Sequence, residues 1–126
     1  MSFVYYNPNP KRKQVIDCTV RAICKLEHLT WHEAFMDVVA ECLVECDMPS
    51  SDSMWGRYLA KLGYTKHMLS NTCPDCYTVS EFADDHPYGE YLLKTSGHVV
   101  AVSHGNYYDT WDSGNEIPIY YWRKEA

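Results

Sequence analysis

The chain has 126 residues, 46% of them hydrophobic and 14% aromatic, which suits one compact domain with a real core and is too short for two ordinary ones. Its 11 basic and 17 acidic residues give a formal charge of −6, too little positive charge to neutralise phosphates, so nucleic acid is not an expected partner. No apolar run is long enough to cross a bilayer, and Met1-Ser2-Phe3-Val4-Tyr5-Tyr6 lacks the charged-then-apolar pattern of a signal peptide, which predicts a cytoplasmic protein that makes no membrane contact.

In chain order, the steps Asn7-Pro8 and Asn9-Pro10 favour extended or turning backbone and oppose a helix before residue 17. Lys11-Arg12-Lys13 reads as a solvated turn. Asp17 reads as an N-cap and Cys18 as the first residue of a helix that runs to about Glu27. Thr30 and Glu33 form a capping box for a second helix, with Trp31, Phe35, Val38, Val39 and Cys42 as its expected buried stripe. Met48-Pro49-Ser50 breaks that helix. Ser51 or Ser53 caps a third, through Leu62, and Gly63 stops it.

Residues 65–77 read as irregular, and Thr78-Val79-Ser80-Glu81 repeats the capping box for a short helix to about Asp85. The texture then turns to strands: Tyr91–Thr95, His98–Ser103, Tyr107–Trp111 and Ile117–Trp122, parted by Gly- and Asn-containing turns. Helices followed by an antiparallel sheet predict an α+β domain of two packed layers.

Three points in this outline carry chemistry. Cys18 at a helix N-terminus faces free N–H groups and the positive end of the dipole, which raises its thiolate fraction. A nucleophilic thiol needs a base, and His98 is the best placed of six histidines, because it follows Gly97 and begins a strand that lies against the helices. The histidine needs an orienting carboxylate. A hairpin pivoting on Gly105 sets Asp112 opposite His98, whereas Asp109 is opposite only in another register. Asp112 beside Ser113-Gly114 also suits a plain turn, while Asp109 inside an aromatic strand needs a paired partner.

The order of these motifs, Asp17-Cys18, Gly97-His98-Val99-Val100 and Asp109-Thr110-Trp111-Asp112, resembles that of papain-type cysteine peptidases, including the domains that cut leader peptides for bacterial exporters. It is also similar to a set of short proteins of Gram-positive bacteria and their phages in which Asp-Cys-x-x-Arg-Ala and Asp-Thr-Trp-Asp recur together. The resemblance implies a papain-like fold, Asp109 as the residue that orients His98, and Trp111 as a shield for that pair. It departs from the family at the oxyanion-hole glutamine. That position is Arg12 here; Gln14, Asn7, Asn9 or backbone N–H groups are the substitutes.

Cys42 and Cys46 lie four apart on the second helix, and Cys73-Pro74-Asp75-Cys76 has a Cys-x-x-Cys spacing that suits zinc. The thiol-hydrolase reading needs no cofactor, and its partner is a peptide or protein. The predicted function is therefore a thiol hydrolase that cleaves a peptide, isopeptide or amide bond. The alternatives are a catalytically silent papain-like module, by which a phage or mobile-element protein grips a host protein, and a zinc-stabilised interaction domain.

Overall fold

The computed structural model describes residues 2–69 and 77–125. Its elements are β1 (Phe3–Tyr5), α1 (Cys18–Glu27), α2 (Trp31–Glu45), α3 (Asp52–Lys61), β2 (Tyr64–Met68), α4 (Val79–Asp85), β3 (Glu90–Lys94), β4 (Val99–Ser103), β5 (Asn106–Asp109) and β6 (Tyr120–Lys124). The expected α+β class holds. Helices α2 and α4 both start on complete capping boxes, Thr30 with Glu33 and Thr78 with Glu81. Gly63 follows α3 at φ +94°, the left-handed conformation that ends helices at little cost for glycine.

The six strands form one sheet in the order β1-β5-β4-β3-β6-β2. It is mixed, not purely antiparallel, because β1 runs parallel to β5, with Tyr5 beside Asp109. The Asn-Pro steps cut β1 to three residues, too short for periodicity to announce it. Strand β2 corrects a second expectation. Residues Thr65 to Met68 are not irregular: with Tyr64 they pair antiparallel with β6 along the whole strand. Their lysine and histidine belong to an exposed edge strand, where alternation is a weak signal.

The sheet is also covered on both faces, not one. Helices α1 to α3 bury Ile23, Leu26, Val38, Trp55 and Leu59 with Leu92, Val99 and Ala101. On the other face α4 buries Val79, Phe82 and Ala83 with Leu93, Val100, Val102 and Tyr107. This is why β4 is buried at every position and reads as a continuous apolar run. The stripe on α2 is rotated from expectation. Ala34, Val38, Glu41 and Cys42 face inward, and Phe35 is 37% exposed. Trp31 and Phe35 instead line a cleft that lies against α1.

Candidate active site

The β4–β5 connection is a two-residue turn of His104 (φ 49°) and Gly105 (φ 80°). Positive φ at both positions matches the right-handed twist of a hairpin. It pairs Ser103 with Asn106 and Ala101 with Tyr108. The register therefore centres between His104 and Gly105, half a residue from a pivot on Gly105, and extending it would set Trp111, not Asp112, opposite His98. Asp112 is exposed. Its Oδ1 accepts hydrogen bonds from Tyr107 Oη at 2.6 Å and Gly114 N–H at 3.0 Å, so it shapes the turn after β5. These bonds hold its carboxyl below the usual range.

Asp109 is wholly buried. Its Oδ2 accepts from His98 Nε2 and from Ser113 Oγ, each at 2.6 Å. Its Oδ1 accepts from Arg21 Nη2 at 3.0 Å and from Thr110 N–H at 2.8 Å. Its backbone is fixed as well, since the Asp109 carbonyl accepts the Tyr6 N–H at 2.8 Å just beyond β1. Burial alone would raise the Asp109 pKa, but the bonds from His98 and Ser113 hold it below the ordinary value.

His98 sits at the mouth of the β3–β4 hairpin, with its carbonyl accepting the Thr95 N–H at 2.9 Å. Its Nε2 is committed to Asp109, which leaves Nδ1 for the thiol. Cys18 stands close enough to the His98 ring and the Val99 N–H for both to lower its pKa. Burial opposes charge on both partners. The bonds to Asp109 and Cys18 nevertheless carry the His98 pKa up to about 9, and those to His98 and Val99 bring Cys18 below its ordinary value. Both shifts favour the thiolate and imidazolium forms of the pair. The Trp111 ring lies 5.0 Å from the His98 ring.

The thiol opens onto a cleft of about 600 Å³. Gly97 and His98 flank it on the sheet side, Val15 and Ile16 precede Cys18, and Trp31, Phe35 and Trp55 supply aromatic surface. A Cβ added at Gly97 would meet nothing within 4 Å, so the approach to His98 is open. The N-terminus of α1 is open too. Asp17 occupies the N-cap position but makes no capping hydrogen bond. Its Oδ1 accepts from Arg21 Nη1 at 2.6 Å and its Oδ2 from Trp31 Nε1 at 2.9 Å. Asp17 thus puts no side-chain acceptor on the first-turn N–H groups around Cys18.

Cys18, His98 and Asp109 are brought together. Gln14 is not with them: it is exposed, and the cleft lining begins at Val15. Asn7 and Asn9 hydrogen-bond within the loop before Lys13. Cys42 is buried with its thiol 3.6 Å from Met54 Sδ, and Cys46 is the exposed C-cap of α2. Cys73 and Cys76 lie outside the described residues. Among the described residues no group of three or more His, Cys, Asp or Glu could hold a metal ion.

Sequence reasoning missed the partners of Asp109. The Asp17 and Arg21 spacing of four is a helix-pair signal, but it does not say that the pair is buried. Ser113 carries no local signal. None of the described helices is long and apolar enough to cross a membrane. No family model, no curated protein and no solved structure matches this chain.

Proposed function

We propose that this protein is a cytoplasmic, papain-like thiol hydrolase acting on a peptide, isopeptide or amide bond. The observation that carries the reading is that Cys18 and His98 line one open, aromatic-lined cleft while His98 Nε2 is hydrogen-bonded to buried Asp109. The Cys18 thiolate attacks the substrate carbonyl and forms the C–S bond. The carbonyl oxygen becomes an oxyanion and takes hydrogen bonds from the open first turn of α1. His98 gives its Nδ1 proton to the leaving amine as the C–N bond breaks. Neutral His98 then takes a proton from water, hydroxide attacks the thioester, and the thiolate is released. Asp109 keeps the other proton on Nε2 throughout.

One observation favours the silent binding module: Gln14, the nearest glutamine, stands outside the cleft. The open amides of α1 supply the donors it would have given. Brief labelling with limiting iodoacetamide at neutral pH, read by peptide mass spectrometry, separates the two readings. The hydrolase requires Cys18 to be labelled well before exposed Cys46. Preferential labelling of Cys46, Cys73 or Cys76 rejects it.

A further inference from the structure

Cys18, His98 and Asp109 suffice for the chemistry proposed above, yet two more charged side chains are buried beside them. Asp17 and Arg21 are each 5% exposed, and Asp109 is fully enclosed. Burying charges costs desolvation that apolar residues of the same size would avoid, so their geometry has to be explained. Arg21 sits four residues after Asp17 on α1 and reaches across to β5. Its planar fork places Nη1 on Asp17 Oδ1 and Nη2 on Asp109 Oδ1. A rigid fork fixes the separation and orientation of the two carboxylates, which a lysine point charge would not.

Each end of this strut holds something the reaction needs. At one end, Arg21 and the Thr110 N–H both hold Asp109 Oδ1, so Oδ2 is left facing His98 Nε2. At the other end, Asp17 Oδ2 holds Trp31 Nε1. Trp31 stacks on Phe35 at 5.0 Å and 7°, and both rings line the cleft. Asp17 does this instead of capping α1, which also keeps the first-turn amides open.

We propose that Asp17 and Arg21 are positioning residues, a buried strut that sets Asp109 against His98 at one end and the Trp31 wall of the cleft at the other. The proposal rests on Cys18 being the nucleophile. It assigns no direct contact with substrate to either residue.

The test compares wild type, Arg21→Lys and the double variant Asp17→Asn/Arg21→Met, in which the loss of one negative and one positive charge leaves the net charge unchanged. Two readouts report on position, not on folding: the pH profile of Cys18 alkylation by iodoacetamide, and the NMR signal of the hydrogen-bonded His98 Nε2 proton. Thermal melting by circular dichroism confirms that each variant is folded. In the double variant, alkylation at pH 7 is expected to slow about tenfold, the equivalent of one pKa unit. The Nε2 proton signal should broaden or move upfield as its bond to Asp109 loosens. Arg21→Lys should fall between the two.

A folded double variant with wild-type alkylation and a wild-type Nε2 signal overturns the proposal. Should the double variant not fold, Arg21→Lys decides: unchanged readouts overturn the strut, and intermediate ones support it. A wild-type protein whose Cys18 reacts as an ordinary thiol instead rejects the hydrolase, and the Nε2 signal still judges the strut by itself.

Discussion

Helices α2 and α4 begin alike, and α1 begins differently. In α2 and α4 a threonine hydroxyl accepts the N–H three residues on, and a glutamate reaches back to the cap. Two orphan donors are closed at each start. Helix α1 has an equally capable residue at its N-cap, but Asp17 turns inward to Arg21 and Trp31. Helix α3 also lacks a side-chain cap, with Ser51 near Ser53 on the surface, so an open end alone is not a functional mark. What sets α1 apart is that its carboxylate is drawn into a buried network while its first turn stands beside Cys18 and a cleft. The starts of α2 and α4 are sealed locally, whereas the start beside Cys18 is held from behind.

The sharpest way to break this contrast is at Cys18 itself. Cys18→Ala should abolish hydrolysis and the fast-alkylating thiol together, while the circular dichroism spectrum stays that of wild type. His98→Asn should slow alkylation at neutral pH by about 100-fold, the lower end of what a positioned base contributes, because the thiolate loses its counter-ion. A His98→Asn protein as reactive as wild type would mean that the α1 terminus alone activates the thiol.

The next largest effect lies at the aspartates. Asp109→Ala leaves buried Arg21 without one partner and should destabilise the protein by about 3–5 kcal/mol in urea unfolding. Asp109→Asn keeps the shape and removes the charge. It should lower the His98 pKa from about 9 with a modest loss of alkylation rate. Asp112→Asn should leave the His98 NMR titration where it was, since Asp112 contacts Tyr107 and Gly114 and not the imidazole. A His98 shift in the Asp112 variant alone would restore the hairpin argument that Asp112 orients His98.

The difference between those two aspartates also shows what the sequence could disclose. Thr-x-x-Glu motifs, the Gly63 stop and the start of α1 are local signals, and the structure has each where local chemistry predicts it. The thiol, the histidine and Asp109 could be named as well, because a carboxylate inside an aromatic strand needs a partner. Strands β1 and β2 were not legible, since both are short or exposed and take their definition from neighbours far away in sequence. The strut from Asp17 to Asp109 was hidden for the same reason. It spans 88 residues between Arg21 and Asp109, and only the fold brings its ends together.

Acidity sharpens the comparison further, because the charge of the site is largely buried, whereas that of the capping glutamates Glu33 and Glu81 is exposed. His98 is raised from 6.5 to about 9 in the folded state. Its protonation therefore contributes stability that is complete below about pH 6.5, the unfolded value, and is lost as pH rises through 9. Cys18 works in the opposite sense. Its lowered pKa contributes fully above its ordinary value and loses that contribution as pH falls through the folded one. Urea midpoints of wild type and His98→Asn, measured from neutral pH upward, should converge above pH 9. Parallel curves would show that His98 is not protonated in the folded protein at neutral pH.

The smallest effect expected is at the sealed helices, and it is the control that gives the others meaning. Thr30→Ala and Thr78→Ala each remove a hydroxyl that accepts a first-turn N–H at 3.2 Å. Each should cost about 1 kcal/mol of stability, the usual worth of an N-cap. Neither threonine touches Cys18, His98 or Asp109, and Trp31 is held from Asp17 and not from the cap. Alkylation of Cys18 should therefore keep its wild-type rate and pH profile in both variants. Thr30 is the more demanding of the two, because it stands one residue before Trp31 on the cleft wall. If Thr30→Ala slowed Cys18 while Thr78→Ala did not, the start of α2 would belong to the site, and the division between sealed and open helix ends would fail at that position.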